Sequence, residues 1–191
     1  MLSNLDKYDI ILASRSPRRR KLLKELGVKF NSTSIAIEEN FPENLSPEEV
    51  AVYLAILKAK AYPNMNDQTL LITADTVVAV KNEILGKPVD KRDAFNILKR
   101  LSGKRHKVIT GVCLMSFEKK IEISATTEVC FSILEDKEIN YYIDRYKPYD
   151  KAGSYGIQEW IGYIGINKIE GSFYNVMGLP IHKLYQELKK F

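Results

Sequence analysis

Residues 70–80, LLITADTVVAV, form an almost continuous apolar run. A strand with one face in water alternates apolar and polar residues, so an unbroken run belongs to a strand covered on both faces. That requirement places a sheet at the centre of the fold with other elements packed on either side. The run contains one charge, Asp75, with Thr76 beside it. A carboxylate in such a strand must pair with a cation, bind a metal or take a raised pKa. A structural capping role is the competing account.

The surrounding sequence supplies the covering elements. Ile10 to Ala13 reads as a short buried strand, and Ser16-Pro17 opens a helix with a good N-cap followed by a pre-organised first residue. That helix runs to about Leu26 and stops at Gly27. Lys29 to Ile35 reads as a second strand, and Ser46-Pro47-Glu48-Glu49 opens a helix reaching about Ala61. Asp90 caps a third helix that ends near Leu101. Residues 104–117 and 120–134 suggest an antiparallel pair turning near Glu118-Lys119, and Asp136 to Tyr146 is helical. The stretches 150–158 and 170–180 read as Gly-rich loops, and a last helix starts at Pro180. Strands alternating with helices, plus a long hairpin, predict a mixed α/β sheet. At 191 residues the chain is expected to form one domain or two closely packed lobes.

No apolar run reaches membrane-spanning length, and MLSNLDKYDI lacks the layout of a signal peptide. The expectation is a cytoplasmic protein with no membrane partner. Cys113 and Cys130 match no zinc or redox spacing and read as buried reduced thiols.

Charge is unevenly spread. Residues 15–29 carry seven Lys or Arg against one acid, Glu25, so this one segment is +6 while the whole chain is only +5. A single basic element favours a compact anion over a stably bound nucleic acid. On a helix of 100° per residue, Arg19 falls in line with the apolar stripe of Leu22, Leu23 and Leu26, and Arg18 lies at its edge. Lys21 and Lys24 point the other way. An arginine in line with the core needs an anionic partner. The free N–H groups of the first helical turn would add to such a site, and an internal ion pair is the alternative.

Four further features are weak taken singly. Lys58 borders the stripe of Val50, Leu54, Leu57 and Ala61, and Lys87 sits in LGKPVD. Glu38 and Glu39 end a strand, and His106 reads as a structural histidine. With His106 and His182 the only histidines, a histidine-based metal site is improbable. There is no G-x-x-x-x-G-K-[ST], no G-x-G-x-x-G after a strand and no G-x-S-x-G. From spacing alone, the chain has an anion site and a strand carboxylate that could hold a metal.

Taken together, LASRSPRRRKLLKELG, IEE, LAILKAKA, ADTVV, LGKP, LSGKRHKVITGV, YDKAGSYGIQ and GSFYNVMGLPI resemble the Maf family of nucleoside triphosphate pyrophosphatases, in the family's order and over essentially the whole chain. The resemblance implies a single domain over residues 1–191 with a two-lobed Maf/ITPase-like α/β fold: a mixed, curved sheet, flanking helices and a central cleft. It implies cleavage between the α- and β-phosphates with a divalent metal, Mg²⁺ or Mn²⁺. By resemblance Asp75 is the proton acceptor, with Lys58 and Glu39 also catalytic and Asp75 and Glu39 on the metal. Arg18, Arg19, Lys87, Ser14 and Ser16 would bind the substrate. Arg18, Thr76 and Gln158 look like the subgroup that prefers dTTP and UTP. A homodimer and a nucleotide-pool cleansing role are further implications. The alternatives are a pyrophosphatase for modified or noncanonical nucleotides, or a non-catalytic nucleotide- or nucleic-acid-binding regulator of septum formation.

Overall fold

A computed structural model describes residues 2–191. In chain order the elements are β1 (Asp9–Ala13), α1 (Pro17–Glu25), β2 (Asn31–Thr33), α2 (Pro47–Lys60), β3 (Thr69–Val80), β4 (Glu83–Leu85), α3 (Lys91–Leu101) and β5 (Arg105–Met115). They continue with β6 (Lys120–Phe131), α4 (Asp136–Tyr146), α5 (Trp160–Gly165), β7 (Ile166–Glu170), α6 (Phe173–Val176) and α7 (Ile181–Leu188). One mixed sheet runs in the order β2-β1-β3-β5-β6-β7, with β4 paired to β3 off this path. β1 lies parallel to β2 and β3, while β3, β5, β6 and β7 are antiparallel to one another.

The central strand is β3, as the unbroken apolar run requires. Its two faces go to different partners. Thr73 donates its hydroxyl to the Ala55 carbonyl of α2 at 2.7 Å, and Val77 and Ala79 pack with Val50, Ala51 and Leu54 of the same helix. On the opposite face two separate cores meet β3. Leu70, Ile72 and Ala74 join Leu12, Leu22, Leu23, Leu184 and Leu188, whereas Val78 joins residues of α3, α4 and β6. β5 repeats the division, with Val112 and Leu114 in the first core and Val108 in the second. This face therefore carries two lobes, and positions 76 and 110 lie between them.

Helix starts follow local chemistry. Ser16 accepts from the Arg19 N–H, and Ser46 and Glu49 form a reciprocal capping box. Asp90 accepts from the Asp93 N–H at 2.7 Å. Gly27 ends α1 with φ +79°, a conformation that favours glycine.

Three expectations change. The second strand covers only Asn31–Thr33, all exposed, because it is an edge strand that among the described residues pairs only with Ile11–Ala13. The supposed loop at 150–158 contains 3₁₀ turns and that at 170–180 the short helix α6, with α5 lying between the two. β4 and β7 were not visible in the sequence: at 3 and 5 residues they are too short to show a period. Cys113 is buried and Cys130 half-buried, both as free thiols. No helix among the described residues is long and apolar enough to cross a membrane.

Gly111 is the closest approach between helix and sheet. It pairs across the ladder with Asp75, and a Cβ there would sit 2.3 Å from the Ala51 carbonyl carbon and oxygen of α2. Backbone cannot yield as a side chain can, so Gly111→Ala is expected to push α2 off the sheet. The expected loss is roughly 2 kcal/mol or more of stability, read by denaturant unfolding.

His106 offers a pH-dependent test. Its Nε2 lies 2.7 Å from the Tyr155 hydroxyl, and burial pushes the imidazole pKa down to about 4. Between the unfolded value of about 6.5 and the folded value only the unfolded chain takes up the proton, so acidification through that window costs stability. By pH 5 the loss is about 2 kcal/mol. Urea midpoints at pH 7 and pH 5 are expected to differ by less in His106→Gln than in the wild type.

Candidate active site

The sheet itself makes the opening. On one edge β3 pairs with β1 up to Ile72 and with β4 from Val78 onward. Residues 73–77 between them have no strand hydrogen-bonded on that side. β1 ends there at Ala13, and the chain turns through Ser14, Arg15 and Ser16 into α1. A cleft of about 660 Å³ occupies this place. The ten residues given site roles by the resemblance all line it: Ser14, Ser16, Arg18, Arg19, Glu39, Lys58, Asp75, Thr76, Lys87 and Gln158.

Asp75 lies on the α2 face of β3, and Lys58 reaches it from the last turns of that helix. The same ammonium is 2.8 Å from Glu39 Oε1, and Lys87 lies 3.5 Å from Glu39 Oε2. Lys58 and Asp75 keep only 14% and 11% of their side-chain surface exposed, so the pair is weakly screened. Removing one member of such a pair leaves an uncompensated charge, a change that costs about 3–5 kcal/mol. Burial alone would raise the Glu39 pKa. Hydrogen bonding and charge from Lys58, then from Lys87, outweigh burial and hold the carboxyl below its ordinary range.

Arg19 lies on the other face, and of the two partners considered for it the internal ion pair is not formed among the described residues. Its fork meets no carboxylate. Nε donates to the Gly178 carbonyl at 2.7 Å, one Nη to the Ala74 carbonyl at 2.8 Å and the other to the Thr76 hydroxyl at 2.8 Å. Neutral oxygens thus satisfy three of the five guanidinium N–H groups. The guanidinium sits deep, and burial pulls its pKa below the ordinary value while Asp75 acts in the opposite sense. The Thr76 hydroxyl is shared between Arg19 and Thr110, at 2.8 and 2.9 Å. Arg18 does form the internal ion pair considered as an alternative, reaching Asp150 Oδ2 at 2.8 Å. Ser14 Oγ accepts from the Ser16 N–H at 3.2 Å, which braces the turn into α1.

Sequence reasoning missed part of the wall. Asp150 and the buried Lys151, both in YDKAGSYGIQ, line the cleft, as does Arg15. The signal available was a charged pair directly before a Gly-rich stretch. Counting Arg15, Arg18, Arg19, Lys58, Lys87 and Lys151 against Glu39, Asp75 and Asp150, the lining is +3. Arg20, Lys21 and Lys24 of α1 are exposed. A concave wall with this excess suits a small polyanion.

Among the described residues, no group of three or more His, Cys, Asp or Glu side chains could hold a metal ion. Asp75 and Glu39 nevertheless converge on one cationic atom, the Lys58 Nζ. Two carboxylates that already share a cation fit Mg²⁺ or Mn²⁺, ions that take their other ligands from phosphate oxygens and water.

Comparison with known proteins gives the family of the chain. The family described as "Maf-like protein" matches residues 9–191. A dTTP/UTP pyrophosphatase of Parabacteroides distasonis is 55% identical over 193 residues, covering 100% of both chains. Another of that name, from Porphyromonas gingivalis, is 55% identical over 195 residues, covering 100% of this chain and 98% of the relative. A third, from Phocaeicola vulgatus, is 55% identical over 192 residues and covers 100% of both. This chain belongs to the family of Maf-like proteins.

Proposed function

We propose that the chain is a single catalytic domain hydrolysing dTTP and UTP to the nucleoside monophosphate and pyrophosphate, acting on the cytoplasmic nucleotide pool with a divalent metal. The observation that carries the reading is the meeting of Asp75, Glu39 and Lys58 inside a cleft of net positive lining. The relatives' names supply the substrate class.

The residues divide the work by face. On the α2 side, Asp75 accepts the proton of the attacking water, and Lys58 holds Asp75 and Glu39 together against their mutual repulsion. The bound metal supplies Lewis-acid polarisation of a phosphoryl oxygen, and Asp75 and Glu39 would hold it. Lys87 and Arg18 at the rim place positive charge along the phosphates as pyrophosphate leaves. Hydrolysis of this kind depends mainly on positioning and charge stabilisation. On the other face, Thr76 and Gln158 carry the donors and acceptors needed to read a pyrimidine edge. Arg19 acts indirectly: by tying Ala74, Thr76 and Gly178 together it fixes the wall against which the substrate lies.

The direct test is pyrophosphate release from a panel of nucleoside triphosphates with Mg²⁺ or Mn²⁺ and with chelator. Metal-dependent release led by dTTP and UTP is expected. Release led by a purine or modified nucleotide overturns the substrate assignment, and no release from any triphosphate overturns the enzyme reading.

Asp75→Asn is isosteric and should lower kcat by at least about 100-fold with nucleotide binding little changed, while the unfolding midpoint falls because Lys58 keeps only Glu39 of its two carboxylate partners. A kcat within about threefold of wild type removes Asp75 from the chemistry. Arg19→Lys keeps the charge but cannot span three acceptors. It is expected to raise KM for dTTP far more than Lys24→Ala, whose side chain lies on the exposed face of α1. Equal KM values would show that the wall Arg19 braces does not matter for binding.

A further inference from the structure

The side-chain carbonyl oxygen of Gln158 is shielded from solvent and has no hydrogen-bond partner among the described residues, although Gln158 lines the cleft. A buried acceptor left without a donor keeps the full cost of its lost hydration. The neighbouring residue explains why the amide does not turn over to relieve it. Gln158 Nε2 donates to Glu159 Oε1 at 3.5 Å, and a flipped amide would set two acceptor oxygens against each other.

Glu159 is itself held at both oxygens. Oε1 is 3.1 Å from the Lys151 ammonium, and Oε2 accepts from the Tyr142 hydroxyl. That hydroxyl also accepts the Gly156 N–H at 3.0 Å, and Lys151 is anchored on its far side by Asp150 Oδ1 at 2.8 Å. The Lys151 and Glu159 side chains are 8% and 18% exposed, so this pair has little freedom to swing into solvent. Gly156 closes the arrangement. A Cβ at that position would fall 2.8 Å from Glu159 Cδ and 2.9 Å from Gln158 Nε2, so glycine leaves both side chains the room they occupy.

We propose that Glu159 is a positioning residue for base selection: by engaging the Gln158 amide nitrogen, it reserves the carbonyl oxygen as the acceptor for a ring N–H. Uracil and thymine carry that donor at N3. Cytosine presents a lone pair there, so the same geometry opposes two acceptors. Sites built around one hydrogen-bond pattern reject a ligand that leaves their buried groups unpaired. The inference rests on the pyrimidine triphosphatase reading above and adds to it the residue that sets the amide's direction.

The experiment compares kcat/KM for UTP and CTP, from pyrophosphate release, in wild type and Glu159→Gln, with a thermal melt to establish folding. In the variant the new amide can offer either N–H or C=O to Gln158, which is then free to turn over. The UTP-to-CTP ratio is expected to fall by about tenfold or more, with the CTP value rising in absolute terms. A purely structural role for Glu159 lowers both values in parallel, and an unchanged ratio overturns the proposal. Should Glu159→Gln fail to fold, Tyr142→Phe releases Oε2 without altering charge. It must move the ratio in the same direction, and a ratio equal to wild type again overturns the proposal. The two readings fail differently. A wild-type enzyme that hydrolyses CTP as readily as UTP sinks the base-selection role and leaves hydrolysis in place. One that releases pyrophosphate from neither sinks the functional reading as well.

Discussion

A carboxylate in the middle of a twelve-residue strand that is otherwise almost wholly buried persists only if something nearby carries the opposite charge. Here that group is Lys58, and much of the architecture can be traced to bringing it to Asp75. The helix that carries Lys58 must lie against the sheet closely enough for a lysine to reach the strand. Gly111 makes the approach possible, since it lets the α2 backbone sit where a Cβ of β5 would otherwise be. The helix touches the strand again where Thr73 bonds to the Ala55 carbonyl. One glycine and one threonine thus set the distance between a helix and a strand, and that distance places an ammonium on a carboxylate.

The alternation of side chains along β3 then separates two jobs. Asp75 faces α2 and the charged cluster. Thr76, one residue on, faces the gap between the two cores, where Arg19 and Thr110 meet it. A strand cannot aim adjacent residues the same way, so a dipeptide Asp-Thr serves two walls of the same cleft. The break in strand pairing between Ile72 and Val78 is what exposes both residues to a ligand. Placing the site there uses a general property of open α/β sheets, in which ligands collect where the pattern of strand pairing changes.

The large elements were legible in the sequence because their physical signatures are local. An apolar run, a Ser-Pro start, a capping box and a glycine stop each announce themselves within a few residues, and α1, α2, α3, α4 and β3 lie where those signals put them. Every candidate site residue also proved to line one cleft. What could not be read was the choice of partner. Arg19 lies against the core as its helical face requires, but the groups bonded to it are the carbonyls of positions 74 and 178 and not an internal acid. Those oxygens belong to every residue type and leave no trace in composition. Lys151 and Glu159 were hidden for a related reason: each looks like an ordinary loop charge until Tyr142, from a helix earlier in the chain, is brought beside them.

The charge balance of the cleft follows from the same distinction between neutral and charged partners. Because carbonyls and a hydroxyl rather than a carboxylate satisfy Arg19, its positive charge is not cancelled by any group bonded to it. Arg18 and Lys151 share Asp150, and Lys58 and Lys87 share Glu39, although Lys151 also meets Glu159 and Lys58 also meets Asp75. Two of the acids lining the cleft therefore answer two cations each, and the surplus of positive charge remains in the lining. Gln158 Oε1 apart, hydrogen bonds hold these side chains in place while their charge is not fully compensated, a combination that keeps the cleft ordered without neutralising it. A ligand bearing several negative charges enters a wall already in position and relieves the repulsion among the cations. Anything that binds the folded chain in this way stabilises it by RT ln(1 + [L]/Kd), so the repulsion among these cations and the affinity of the cleft for a triphosphate are two expressions of one arrangement.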